Sequence, residues 1–235
     1  MLKIYGLQKM TLLDYPGHVA CTVFLNACNF RCPYCHNYEL VTGDAPPLME
    51  TEELYAFLDK RHGLLDGVAI TGGEPCLHPE LPELIRGIRE RGFGVKLDTN
   101  GCYPDMLERL LGEGLVDYVA MDIKNSPERY AQTVGLQTLD LAPVRRSIGL
   151  LMASTVEYEF RTTVVDELHD EADFDGIGQM IRGAKRYFLQ AFTDRDTVPF
   201  AGLHAPSQEK MKNCLDRVSP WVKAAEIRGM DLDGQ

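Results

Sequence analysis

A chain of 235 residues that is 45% hydrophobic and 25% charged can bury a full core, which excludes disordered and collagen-like classes and any need for a disulfide scaffold. Its formal net charge of −11 repels phosphate backbones and anionic lipid, so no nucleic acid and no membrane surface is an expected partner. Apolar stretches reach strand length only, far short of the roughly 20 residues of a membrane span, and no leader pattern opens the chain, so a cytoplasmic protein is expected.

The first segment, residues 1–17, ends in Asp14-Tyr15-Pro16-Gly17, a tight turn that delivers the chain into the first strand. Strands are expected at residues 18–25, 67–71, 94–98, 118–123, 158–165 and 186–192, apolar on both faces as buried parallel strands are. Helices are expected between them at 51–61, 79–91, 104–111, 141–152 and 170–182, with a last one at 207–217. Thr51 and Ser207 look like helix starts, and Gly63, Gly92 and Gly114 look like stops. Ala45-Pro46-Pro47 marks a loop. Six strand and helix units without a linker or internal repeat favour an α/β barrel or doubly wound sheet in a single domain, 1–235, with a barrel core at 18–192 and a C-terminal extension at 193–235.

Seven cysteines, three of them within eight residues, make a poor disulfide framework and a good ligand cluster. The three are Cys28, Cys32 and Cys35, spaced C-x3-C-x2-C after the first strand, on the edge that carries active sites in α/β barrels. Three thiolates hold three irons of a 4Fe-4S cube and leave the fourth open to a small molecule. A structural Cys3His zinc site using His36 is the alternative, although adjacent side chains diverge and zinc ligand pairs are usually spaced further apart. Cys21, Cys76, Cys102 and Cys214 are scattered singly, and Cys21 reads as a small core residue.

With Tyr34 in the aromatic place, this stretch resembles the signature of the radical S-adenosylmethionine (SAM) enzymes. The resemblance implies a partial (β/α)6 TIM-like barrel and a 4Fe-4S cluster whose open iron is chelated by SAM. Thr71-Gly72-Gly73-Glu74-Pro75 ends the second strand. Its glycines suit close main-chain approach to a ligand or an ordinary tight turn; by resemblance Gly72, Gly73 and Glu74 form the motif that binds the methionyl ammonium.

Asp98-Thr99-Asn100-Gly101 ends the third strand and Met121-Asp122-Ile123-Lys124 the fourth. A strand-end Asp is often only a helix cap, yet both stretches match the glycyl-radical-enzyme activases. There Asp98, Thr99 and Asp122 line the SAM site as polar or monovalent-cation-coordinating groups, and Lys124 contacts the cofactor carboxylate. Arg161 points inward from the fifth strand and needs an anion, or an aspartate as salt-bridge partner. Gln190 is an inward polar group without an assigned role. His18, His62, His78, His169 and His204 lack a spacing partner and are expected on the surface or in loops.

The 36 residues between Cys35 and Gly72 hold no cysteine, so the chain resembles the short, single-cluster activases. Leu12-Leu13-Asp14-Tyr15-Pro16-Gly17 and Cys35-His36-Asn37 resemble the activating protein of anaerobic ribonucleoside-triphosphate reductase. The resemblance implies that reduced cluster cleaves SAM to a 5′-deoxyadenosyl radical, which takes a hydrogen from a glycine Cα of the partner enzyme. It also implies a low-potential donor such as flavodoxin or ferredoxin. A carboxy-deazaguanine synthase-like enzyme acting on a small molecule remains the alternative within the same superfamily.

Overall fold

The computed structural model describes residues 2–43 and 45–230; the end of the expected C-terminal extension, 231–235, lies outside the described residues. In chain order the elements are β1 (Lys3–Ile4), β2 (Gly6–Thr11), β3 (Ala20–Leu25), α1 (Tyr38–Thr42), β4 (Met49–Glu50), α2 (Thr51–Asp59), β5 (Gly67–Gly72), α3 (Leu81–Glu90), β6 (Gly94–Thr99) and α4 (Pro104–Gly112). They continue as β7 (Tyr118–Asp122), α5 (Tyr130–Thr133), α6 (Ala142–Ala153), β8 (Glu157–Val164), α7 (Asp173–Met180), β9 (Tyr187–Ala191), α8 (Gln208–Val218) and β10 (Ala225–Arg228).

Eight strands form one sheet in the order β10-β9-β8-β7-β6-β5-β3-β2. All neighbours run parallel except β2, which pairs antiparallel with β3. The six expected strands are the six central ones, each followed by helix, and the fold is the α/β partial barrel that the sequence implies. β1 and β4 form a separate antiparallel clip.

Alternation across each strand explains the layering. Val68, Ile70, Val95, Leu97, Val119 and Met121 are fully buried on the face turned to the helices. The opposite face, in matched register, carries Ala69 beside Lys96, Asp98 beside Ala120, Asp122 beside Arg161, and Thr163 beside Gln190. The interior of the barrel is therefore small and charged residues, not a second apolar core.

The turn at Asp14-Tyr15-Pro16-Gly17 closes the barrel floor. The His18 amide donates to the Tyr15 carbonyl at 3.0 Å, and the Tyr15 ring is buried against the beginnings of β5 and β6. A Cβ at Gly67 would stand 2.7 Å from that ring, so glycine is what lets the plug seat. Tyr118 Oη donates to Glu159 at 2.7 Å, and Arg228 grips the same carboxylate at 2.9 and 3.0 Å. Ser207 caps α8 as expected, accepting from the Lys210 amide. α2 instead opens with a capping box between Glu50 and Glu53, one residue before Thr51.

The barrel does not close by strand pairing, because β2 and β10 are edges. At the carboxyl ends of β3 and β9 the gap is bridged by side chains. The His36 ring stacks on Phe192, centroids 5.6 Å apart at 4°, and its Nε2 donates to the Thr193 carbonyl at 2.7 Å. Among the described residues no helix is long and apolar enough to cross a membrane.

Candidate active site

A cavity of about 230 Å³ opens at the carboxyl ends of the strands. Its lining brings together every residue singled out from the sequence: Cys28, Cys32, Cys35, Tyr34, Gly72, Gly73, Glu74, Asp98, Thr99, Asp122, Lys124 and Arg161. Phe30, His36, Asn37, Val41, Thr71, Asn100, Thr163 and Gln190 complete the wall.

The cysteine loop leaves β3 through Ala27, whose φ of 58° is the only positive value at a non-glycine among the described residues. It is pinned there by its own amide to the Leu40 carbonyl at 2.8 Å and by its carbonyl, which accepts from the Glu74 amide at 2.8 Å. Gly72 and Gly73 sit directly against this backbone. A Cβ on Gly72 would stand 2.2 Å from the Leu25 carbonyl oxygen, and one on Gly73 would stand 1.9 Å from the Ala27 carbonyl oxygen. The two glycines thus admit the cysteine loop itself, and the Gly72 carbonyl accepts from Asn37 at 3.1 Å.

Glu74 is buried and fully engaged. It accepts from the Cys76 amide at 2.9 Å, the Thr99 hydroxyl at 2.8 Å and the Asn100 amide at 2.7 Å. Burial pushes its carboxyl up to about 7 against the pull of those three bonds. The carboxylate ties the turn after β5 to the turn after β6, which makes it a brace. Asn100 continues the brace to the cysteine loop, donating to Asn29 Oδ1 at 2.8 Å and toward Cys28 Sγ at 3.8 Å.

All three thiols are free. Burial raises Cys28 to about 11 and Cys32 to about 12, and it also raises Cys35. His36, the fourth ligand of the zinc alternative, lines the same cavity with its ring stacked on Phe192 and hydrogen-bonded to Thr193. No three His, Cys, Asp or Glu side chains among the described residues converge on a point where one metal ion could sit.

Inside the mouth runs a ladder of alternating charge. Lys96 Nζ meets Asp98 Oδ1 at 2.5 Å, and Asp98 Oδ2 meets Arg161 at 3.0 Å. Arg161 Nε then meets Asp122 Oδ1 at 2.6 Å, and Asp122 Oδ2 meets Lys124 Nζ at 2.8 Å. Burial disfavours both carboxylate charges, but Arg161 with Lys96 outweighs it at Asp98, and Arg161 with Lys124 at Asp122, so both acids are held below their ordinary range. Arg161 therefore has aspartates as partners on two sides. The aspartate pair that the resemblance offers to a monovalent cation has no carboxylate oxygen without a cationic partner.

His169 departs from the sequence expectation. It is fully buried, its Nε2 donating to the Lys124 carbonyl at 2.8 Å and its Nδ1 accepting from the Val165 amide at 3.1 Å. Burial lowers its pKa, so the ring is neutral. Its neighbours Glu167, Asp170 and Glu171 disguise it as a surface residue; its partners are backbone groups, which leave no mark in sequence. Asn100 was legible as part of Asp98-Thr99-Asn100-Gly101, but its task depends on a contact across the barrel mouth.

The Radical SAM superfamily pattern matches residues 22–173. The chain is 32% identical over 232 residues to a Methanocaldococcus jannaschii protein named as a glycyl-radical enzyme activating enzyme, covering 96% of this chain and 95% of that one. It is also 32% identical to a 7-carboxy-7-deazaguanine synthase of Methanopyrus kandleri over 130 residues, 47% of this chain and 51% of that one. In fold it resembles Streptococcus suis SuiB bound to its precursor peptide SuiA, with TM-score 0.66 at 10% identity, over 90% of this chain and 48% of that one. With a pattern that runs from β3 to the start of α7 and a relative aligned along nearly its whole length, the chain belongs to the radical SAM superfamily and is a radical SAM enzyme.

Proposed function

We propose that this protein is a short, single-cluster activase that generates a glycyl radical on a partner enzyme, and that the partner is anaerobic ribonucleoside-triphosphate reductase. The observation that carries the reading is the end-to-end likeness to a protein named as such an activating enzyme, on a chain whose three clustered cysteines line one open cavity.

The residues present fit the cofactors the family implies. Cys28, Cys32 and Cys35 are soft thiol donors on one loop with no disulfide among them, which suits an iron–sulfur cube with one iron left open. Tyr34 lines the same cavity, and its Oη is buried without a hydrogen-bond partner. Lys124 spends one bond on Asp122 and has donors left for an anionic group such as the cofactor carboxylate. When bound, the cluster and SAM would supply the radical chemistry, reductive cleavage of SAM to methionine and a 5′-deoxyadenosyl radical with one electron from a low-potential donor such as flavodoxin or ferredoxin.

The chain's own part is placement. Glu74 and Asn100 hold the cysteine loop against the turns after β5 and β6, and the Gly72 and Gly73 backbone forms the adjacent wall. The charge ladder holds Asp98 and Asp122 ionised and Lys124 in place. Hydrogen-atom transfer to that radical would leave the unpaired electron on the partner's glycine and the hydrogen in 5′-deoxyadenosine.

The half-chain likeness to 7-carboxy-7-deazaguanine synthase favours a second reading, in which the substrate is a small heterocycle. Deuterium separates the two. Label on the partner's glycine should appear in 5′-deoxyadenosine, and the reductase should gain a glycyl-radical doublet in its electron paramagnetic resonance spectrum. Label arriving from a small heterocyclic substrate, and none from any glycyl-radical protein, would overturn the activase reading.

A further inference from the structure

Asp98 and Asp122 stand on adjacent strands, β6 and β7, on the inward face at the barrel mouth. Two carboxylates buried side by side repel one another and lose hydration, so both stay ionised only when cations stand between and beside them. Here each of the four carboxylate oxygens has its own cationic nitrogen, from Lys96, Arg161, Arg161 and Lys124 in turn.

The central position belongs to Arg161. Its planar guanidinium reaches Asp98 through one nitrogen at 3.0 Å and Asp122 through Nε at 2.6 Å, a two-sided grip made by separate nitrogens of one rigid fork. Three side-chain cations against two carboxylates leave the ladder with a surplus of one positive charge. An added metal ion would enter a positive surrounding and find no free carboxylate oxygen.

We infer that Arg161 is this enzyme's built-in counter-ion: its guanidinium occupies the place between Asp98 and Asp122 that a sodium or potassium ion would take, and SAM binding here needs no monovalent metal cation. The guanidinium keeps its charge at all working pH values and cannot exchange with the medium. The unspent positive charge lies toward Lys124, at the mouth, where an anionic end of the cofactor would meet it. The inference rests on the reading that the cavity holds SAM; it is independent of which client is activated.

The test compares reconstituted protein in choline chloride with the same protein in sodium or potassium chloride at equal ionic strength. Equilibrium SAM affinity should differ by less than about twofold among the three salts. The apo-protein should melt at the same temperature in each. Arg161→Ala should weaken SAM binding about tenfold or more in choline, as expected when a coupled charge is lost, and sodium, potassium or millimolar guanidinium should restore part of that affinity and part of the melting temperature. Affinity or melting temperature of the wild type that collapses in choline would overturn the inference. So would an Arg161→Ala variant that binds SAM normally in choline. If that variant does not fold, Arg161→Gln takes its place, since a neutral amide brings no counter-charge and should leave the same salt dependence. If the wild type binds no SAM in any salt, the cofactor reading has failed, and the apo melting comparison still decides the inference.

Discussion

Gly73 and Ala27 touch backbone to backbone, so closely that a Cβ on Gly73 would stand 1.9 Å from the Ala27 carbonyl oxygen. The close approach that the sequence assigns to a ligand is made first by the cysteine loop. Gly73→Val should therefore cost folding and binding together, where glycine read from sequence as a ligand seat would lose binding alone. We expect a loss of about 3 kcal/mol or more, as for severe overpacking, with iron content after reconstitution falling in parallel. Gly17→Ala is the control: φ is +77° but nothing lies within 4 Å of its Cβ position, so only backbone strain of about 1 kcal/mol is expected. Equal melting temperatures for Gly73→Val and wild type would refute the packing argument.

Cys28→Ala, Cys32→Ala and Cys35→Ala should each abolish SAM cleavage and sharply lower bound iron. Cys76→Ala should leave bound iron unchanged, because Cys76 is buried beside Thr99 and Glu74. Iron analysis and 5′-deoxyadenosine release after anaerobic reconstitution check both statements. One cluster-loop variant with full activity would remove the assignment.

His169 gives the fold a sensitivity to acid. Its folded pKa lies below the unfolded value of about 6.5, so above that pH the ring is neutral in both states and contributes no pH dependence. As pH falls through about 6.5 the unfolded chain takes up a proton that the buried ring refuses, and stability declines. Urea unfolding of wild type and His169→Gln should show the wild type losing ground to the variant between about pH 7.5 and 5.5. Parallel stability curves would contradict the burial of a neutral ring.

Tyr15→Ala should empty the barrel floor at a cost of about 3 kcal/mol, the range for deleting a buried aromatic ring. For a chain of this size that lowers the melting temperature by roughly 6–12 °C. Iron content should stay near the wild-type level, since Tyr15 lies at the end of the barrel opposite Cys28. Loss of iron with an unchanged melting temperature would mean that floor and mouth are coupled in a way the packing does not show.

The central strands were legible because burial on both faces forces unbroken apolar runs such as Val68-Ala69-Ile70 and Val119-Ala120-Met121. The edges were not. β2 carries exposed Gln8, Lys9 and Met10, and β10 carries Glu226 and Arg228; edge strands follow the pairing of a neighbour, which no local pattern records. At the site, residues that act at a strand's end, such as Asp98 and Lys124, could be found by position. What escaped was the partnership: that Glu74 would be consumed by three donors, that Arg161 would join two aspartates, and that His169 would turn inward to a backbone carbonyl.

The ring stack of His36 on Phe192 has a mechanical consequence. Between the loop that follows β3 and the segment that follows β9, the wall is a side-chain latch in place of a hydrogen-bonded ladder. Releasing the His36 stack and its hydrogen bond forfeits about 1–3 kcal/mol, to which the edge contacts of Tyr34 with Phe192 and of Tyr38 with Phe200 add, against a total stability of about 5–15 kcal/mol for an ordinary domain. A break along this seam would leave every strand's hydrogen-bonded neighbours in place. A loop tethered at both ends, which no closed ring would admit through its side, could be laid in from the flank like a cord into a carabiner.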